Sequence, residues 1–214
     1  MFPLVQNMKA SIIAILLLTV TSGSVGQVNE EQTPQKQKLS FFIGAAAGNF
    51  GMTIDEFKKV YHRRSISRIA VAGIGQRSAY LFAKYRNFYA HGRSIVENAD
   101  TKGEAFWKQQ FLSFGARLMA HDAPVYVEVS YVISDAEERI ATHEPDVNEL
   151  EGEWKAHTQG VGAAMGIVID FPKPLKMFIE YEYTSMLRLG RNPYGRAVPQ
   201  IGGSLLSGGL MFVL

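Results

Sequence analysis

The sequence predicts an all-β fold, an eight-stranded antiparallel up-and-down transmembrane β-barrel, and three observations lead to it. Residues 38–214 carry apolar side chains at period two, the spacing of strands; the connections between these strands alternate between short and long; and the chain ends at Leu214 on an apolar strand with no polar tail. No internal run reaches the roughly 20 apolar residues that a membrane-spanning helix needs.

The segments before the barrel are set aside first. Residues 1–9 carry one positive charge and no acid, Ala10 to Val20 is almost wholly apolar, and Ser24-Val25-Gly26 offers small residues at a cleavage spacing. This is the pattern of a signal peptide over 1–26. Its apolar run of about eleven residues is too short to anchor in a membrane. Residues 27–37, rich in Glu, Gln, Thr and Pro, read as a flexible periplasmic leader, and 38–214 as the barrel domain.

Composition narrows the chemistry. The chain has 22 basic and 20 acidic residues, and removal of the signal takes only Lys9, leaving 21 against 20. A balance so near neutrality gives no basic excess for a nucleic-acid partner. With no cysteine there is no disulfide, thiolate chemistry or cysteine-based metal site.

Strands are expected at 39–49, 65–76, 79–91, 106–120, 125–134, 157–171, 176–189 and 201–214. Short turns fall at Arg77-Ser78, at 121–124 and at 172–175; long polar segments occupy 50–64, 92–105, 135–156 and 190–200. Three tight turns on one side and four extended loops on the other are the plan of a barrel with periplasmic turns and external loops. A soluble sandwich or ligand-binding barrel has similar connections, so the strand faces must discriminate.

In 125–134, Val125, Val127, Val129, Tyr131 and Ile133 alternate with a face that includes Glu128, Ser130 and Ser134. In 176–189, Ile179, Tyr181 and Tyr183 alternate with Glu180, Glu182 and Thr184, and in 79–91 Leu81 and Tyr85 alternate with Lys84 and Arg86. Counted from the short turns, Lys84, Arg86, Arg117, Glu128, Glu180 and Glu182 fall three to seven residues from one rim. At about 3.3 Å per residue and a steep tilt they form one layer. Facing inward, three cations and three anions neutralise one another, while the greasy face meets lipid. Facing outward, they are ordinary solvated charges over a core that holds every Tyr and Phe of the other face. The inward arrangement is the favoured one. Strand glycines, Gly73, Gly115, Gly162 and Gly166 among them, suit tight curvature and close side-chain fit. Aromatics near strand ends suit interfacial girdles: Phe41, Phe42, Tyr80, Phe82, Phe171 and Phe212 on the turn side, Phe50, Phe88, Tyr89, Phe106 and Trp107 on the loop side.

The run from Tyr80 to Phe88, the run from Trp107 to Arg117 and the Gly-Leu-Met-Phe-Val-Leu terminus resemble the small outer-membrane β-barrels of the OmpA-like and OmpX-like family, over essentially the whole mature chain. The resemblance implies residence in the outer membrane and insertion by the barrel-assembly machinery through the last strand, by Leu210, Phe212 and Leu214. Members usually end in an aromatic residue, whereas this chain ends in Leu214 with Phe212 two before it.

The expected role is structural or adhesive, through external loops on a monomer, without cofactor or catalytic site; a barrel this narrow disfavours a general porin. Within 55–64, Lys58, Lys59, Arg63 and Arg64 lie on a short amphipathic helix pattern and could meet lipopolysaccharide phosphates. The acidic third loop, with Glu137, Glu138, Glu144, Asp146, Glu149, Glu151 and Glu153, reads as a hydrated loop before it reads as a divalent-cation site. A lipid-modifying enzyme is the alternative class. It needs a nucleophile, base and acid together at the rim. The histidines are His62, His91, His121, His143 and His157, and the pairs His157 with Thr158 and His91 with Ser94 supply no joining motif. A soluble periplasmic ligand-binding barrel is the third alternative.

Overall fold

The computed structural model describes residues 39–214 except 53–60, 62, 65, 77, 96–101, 121–122, 143–151 and 187–201. The expected signal peptide and leader lie outside the described residues. The strands are β1 (Ser40–Met52), β2 (Arg63–Arg64), β3 (Ser67–Gln76), β4 (Ala79–Ile95), β5 (Lys102–Met119), β6 (Val125–Thr142), β7 (Gly152–Asp170), β8 (Leu175–Met186) and β9 (Gly203–Val213). β2 and β3 both pair with β4 and are two pieces of one barrel strand, so the wall has eight staves. All pairings are antiparallel. Each stave neighbours the next in sequence, β4 pairs β5, and the last strand returns to the first. At that seam Phe41 and Leu214 exchange backbone hydrogen bonds of 3.1 and 2.8 Å.

Register sets the size of the barrel. A path across paired residues from Phe42 through Gly73, Phe82, Gly115, Ser130, Gly162, Thr184 and Gly203 returns to β1 at Met52, ten residues further on. Eight staves with that stagger tilt by roughly 40° and give a backbone radius of roughly 8 Å. Such a tube is filled by its own side chains.

Alternation assigns every stave an inner and an outer face. β8 buries Phe178, Glu180, Glu182, Thr184 and Met186 and exposes Ile179, Tyr181 and Tyr183. β6 buries Tyr126, Glu128, Ser130 and Val132 and exposes Val125, Val127 and Val129, the last at 61%. On β6 the uncharged outer run from Val125 to Ile133, at roughly 3.3 Å per residue and this tilt, spans about 20–25 Å. A lipid-facing band on such barrels is about 25 Å tall.

Five of the strands, β1 and β4 to β7, outrun their expected limits by three residues or more. β6 continues to Thr142 and β7 begins at Gly152, with Asp135 opposite His157 and Ile140 opposite Gly152, so most of the expected third loop is ladder. β4 and β5 likewise absorb both ends of the expected second loop. The cause is that inner positions such as Ala105, Trp107 and Ala136 stay buried there while outer ones turn charged. Polarity marks where lipid gives way to water, not where a strand stops. In the expected helix over 55–64, Arg63 and Arg64 are strand residues paired with His91 and Ala90; the rest of that segment, apart from Tyr61, lies outside the described residues.

The aromatic girdle is also corrected. Phe42, Phe50, Phe82, Phe88 and Trp107 point inward and are buried: Phe82 and Phe88 share strand parity with Lys84 and Arg86, Trp107 with Arg117, and Phe42 and Phe50 with the small inner residues Gly44, Ala46 and Gly48. Phe41, Tyr89, Phe106, Phe171 and Phe212 face outward.

Candidate functional site

The six charged residues read as one layer meet in the barrel interior, each at most 4% exposed. They come from staves on both sides of the tube: Lys84 and Arg86 from β4, Arg117 from β5, Glu128 from β6, Glu180 and Glu182 from β8. Room for their long side chains comes from small inner residues on other staves, among them Gly44, Ala46 and Gly48 on β1 and Gly162, Ala164 and Gly166 on β7.

Lys84 is the hub. Its Nζ donates to Glu128 at 2.6 Å, Glu180 at 2.6 Å and Glu182 at 3.2 Å. Arg86 donates to Glu182 at 2.9 Å and to Thr184 Oγ1 at 3.3 Å. Arg117 reaches Glu128 through Nε at 2.7 Å and through its Nη2 at 2.6 Å, with Glu180 at 3.8 Å. Three cations against three carboxylates leave no net charge in a water-poor space, the condition under which buried ions are tolerated.

Both guanidinium groups also stack on rings. Arg86 lies 3.9 Å from the Phe111 ring centre and 4.9 Å from Phe50; Arg117 lies 4.2 Å from Tyr126 and 4.8 Å from Phe42. These rings belong to two apolar clusters that flank the charges. One contains Phe42, Val71, Phe82, Tyr126, Val168, Phe178 and Met211, and the other includes Phe50, Phe88, Trp107, Phe111, Val132 and Leu205. The interior is thus a sandwich of apolar, ionic and apolar layers. Near its turn-side end, between Phe42, Tyr80, Arg117 and Met211, a recess of about 30 Å³ remains, room for about one water.

Sequence reasoning missed three partners of this network. Tyr126 donates to Glu180 at 2.8 Å, Thr184 Oγ1 donates to Glu182 at 3.1 Å, and Arg117 reaches the sulfur of Met211 at 3.5 Å. Tyr126 and Thr184 stand two residues from Glu128 and Glu182 in the strand, and that period-two spacing was the available signal. A fourth missed contact joins the loop side. Tyr61 is buried, packs edge-on against Trp107 at 6.0 Å and donates to Glu138 at 2.5 Å. Burial first, and then the Glu138 charge, push its phenol well above the ordinary range.

The other expected site residues are not gathered. Lys58 and Lys59 lie outside the described residues, as do the side chains of Arg63 and Arg64. Leu210 and Phe212 face outward on β9, both 47% exposed. His157 points out and bonds Asp135 at 2.7 Å, whereas Thr158 points in, so strand alternation separates that imagined base and hydroxyl. His91 packs edge-on against Phe106, and the Ser94 side chain lies outside the described residues. His62, His121 and His143 lie outside them too. Of the acidic loop, Glu137 is a strand residue paired with Arg139 at 2.5 Å and Glu138 a strand residue paired with Tyr61. Glu153 falls in β7 by its backbone, and Glu144, Asp146, Glu149 and Glu151 lie outside the described residues. Among the described residues, no group of three histidines or carboxylates stands close enough to hold a metal.

No family model and no curated protein matches the chain. Among solved structures it is similar to a major outer membrane protein from Thermus thermophilus, at 11% identity over 83% of this chain and 100% of that one, with a TM-score of 0.48. It is also similar to Ail, the attachment invasion locus protein of Yersinia pestis, at 9% identity over 84% and 100%, TM-score 0.45, and to the N-terminal β-barrel domain of Pseudomonas aeruginosa OprF, at 12% identity over 82% and 97%, TM-score 0.38. At these identities and scores the likeness reaches no further than the fold.

Proposed function

We propose that the chain is a monomeric, non-enzymatic outer-membrane barrel that holds its external loops and strand ends at the cell surface, in a structural or adhesive role. The single observation that carries this reading is the inversion of the wall: large apolar side chains circle the outside, and the ionised ones are sealed within. In water, a contiguous apolar band of this height would far exceed the few hundred Å² that soluble monomers leave exposed. In a bilayer it is the expected surface. The filled interior argues against a soluble ligand carrier, which needs a chamber.

In this reading Leu210, Phe212 and Leu214 present the outer face of the closing strand to the assembly machinery, and Lys58, Lys59, Arg63 and Arg64 are the cations that would meet lipopolysaccharide. Membrane fractionation with a gel run on boiled and unboiled samples tests the reading. Recovery in the outer-membrane fraction, release only by detergent and a faster unboiled band are expected. Release in aqueous extracts with one band position would overturn it.

A further inference from the structure

At the loop-side end of the barrel, one rung runs from Ala90 through Trp107 to Glu138 across β4, β5 and β6, on the inner face of the wall. The inner residues beside it are small. Ala105 on β5 and Ala136 on β6 are buried, and Ala156 stands opposite Ala136 on β7. The staves alone therefore shape a mouth with an indole wall, alanine sides and a half-buried carboxylate. The wall is fixed, because Trp107 Nε1 donates to Gln109 at 3.3 Å and Gln109 Nε2 donates to Ser134 at 3.0 Å. What fills this mouth is Tyr61, which belongs to no strand. β2 follows it closely and ties the chain to β4 through Arg64 opposite Ala90. The Tyr61 ring meets Trp107 edge-on, shares one cluster with Ala90, Ala105 and Ala136, and is 2% exposed, while its hydroxyl donates to Glu138 at 2.5 Å.

This is the arrangement of a site and its occupant. An apolar side chain would fill the space as well, but a carboxylate in an apolar mouth also needs a donor. A phenol supplies ring and donor in one group. Here both arrive in one piece from outside the staves, as a ligand would bring them. We propose that the mouth of the barrel is a binding site for small phenols, occupied in cis by Tyr61, so that an external phenol competes with Tyr61 for Trp107 and Glu138. The staves close around the ring, which suits a free small molecule and not a protein surface. The site goes beyond the structural role proposed above and asks only that the barrel folds.

The test uses the full mature chain refolded in neutral detergent, with 4-fluorophenol as the probe, followed by fluorine NMR, and fluorobenzene as the ring without the donor. Protein-free micelles supply the partition baseline for both. Tyr61→Ala removes the occupant and should bind 4-fluorophenol saturably, one per chain, much as an engineered apolar cavity of about 150 Å³ takes up benzene. Fluorobenzene should bind that variant about tenfold or more weakly, the worth of a hydrogen bond to a charged group. Glu138→Ala added to Tyr61→Ala should weaken 4-fluorophenol by a similar factor. The parent chain should bind it at least about tenfold more weakly than Tyr61→Ala, since apparent affinity falls with the fraction of chains whose site is free. Tyr61→Phe keeps the ring without the donor and should fall between the two. Should the unboiled gel band show that the alanine variant misfolds, Tyr61→Phe against the parent reads the same competition, and equal binding by those two overturns the proposal. No saturable binding by folded Tyr61→Ala would make Tyr61 a structural plug whose place collapses without it. Equal binding of fluorobenzene, no loss with Glu138→Ala, or equal binding by the parent and Tyr61→Ala would each overturn the proposal too.

Discussion

Glu182 accepts from Arg86 at 2.9 Å and from Lys84 at 3.2 Å, and it is the carboxylate to which Arg86 is bridged. Its loss leaves a buried guanidinium facing two rings and one hydroxyl, with its bridging carboxylate gone. Removing one partner of a buried pair costs about 3–5 kcal/mol, so Glu182→Ala is expected to destabilise the fold by that amount, read from urea unfolding in detergent. Adding Arg86→Met to Glu182→Gln removes both charges and should recover most of the loss, since an apolar replacement of a buried pair is often neutral. An Ala variant as stable as the parent would mean that these side chains do not meet in a dry interior. Positions Lys84, Glu128 and Glu182 could be placed in one layer from parity and distance to the turns, because a strand has only two faces. Which acid each cation selects could not, because that depends on rotamers and on Tyr126, Thr184 and Met211.

At the scale of the strand, glycine does different work on the two faces. A Cβ on Gly166 would collide with the Tyr126 ring, whose hydroxyl holds Glu180, whereas a Cβ on outward-facing Gly208 would meet only the Phe178 carbonyl at 3.8 Å. Overpacking of a filled interior costs about 1–3 kcal/mol. Gly166→Ala is therefore expected to destabilise by that much and to disturb the ionic layer. Gly208→Ala should stay within about 0.5 kcal/mol of the parent, as surface changes do. Matched unfolding curves of the two variants check this, and equal effects would contradict the assignment of faces. The alternation that makes such faces legible also explains where the strand limits were misread. Beyond Ile133 the outer residues become Asp135, Glu137 and Arg139, which look like loop, yet the inner Ser134 and Ala136 remain buried and the ladder continues. Composition reports the solvent outside, while pairing follows the inner face. The Phe42 and Phe88 rings were misplaced for the related reason that nearness to a strand end says nothing about parity.

Across the whole molecule, stagger and filling together decide whether the tube conducts. A backbone radius of roughly 8 Å leaves space only for inward side chains, and here these form two apolar clusters with an ion-paired layer between them. A permeating ion would have to part Lys84 from its carboxylates and lose its own hydration between Phe42 and Phe82 on one side and Phe50 and Phe111 on the other. Each uncompensated buried charge costs several kcal/mol, so passage is rare at ordinary potentials. The refolded protein in planar bilayers should accordingly show no sustained open level resembling a water-filled porin. The check is a recording at fixed voltage on protein whose unboiled gel band shows that it is folded. A steady, ohmic conductance from that sample would require a continuous aqueous path, which the packed sandwich of layers does not contain, and would overturn the sealed-lumen account.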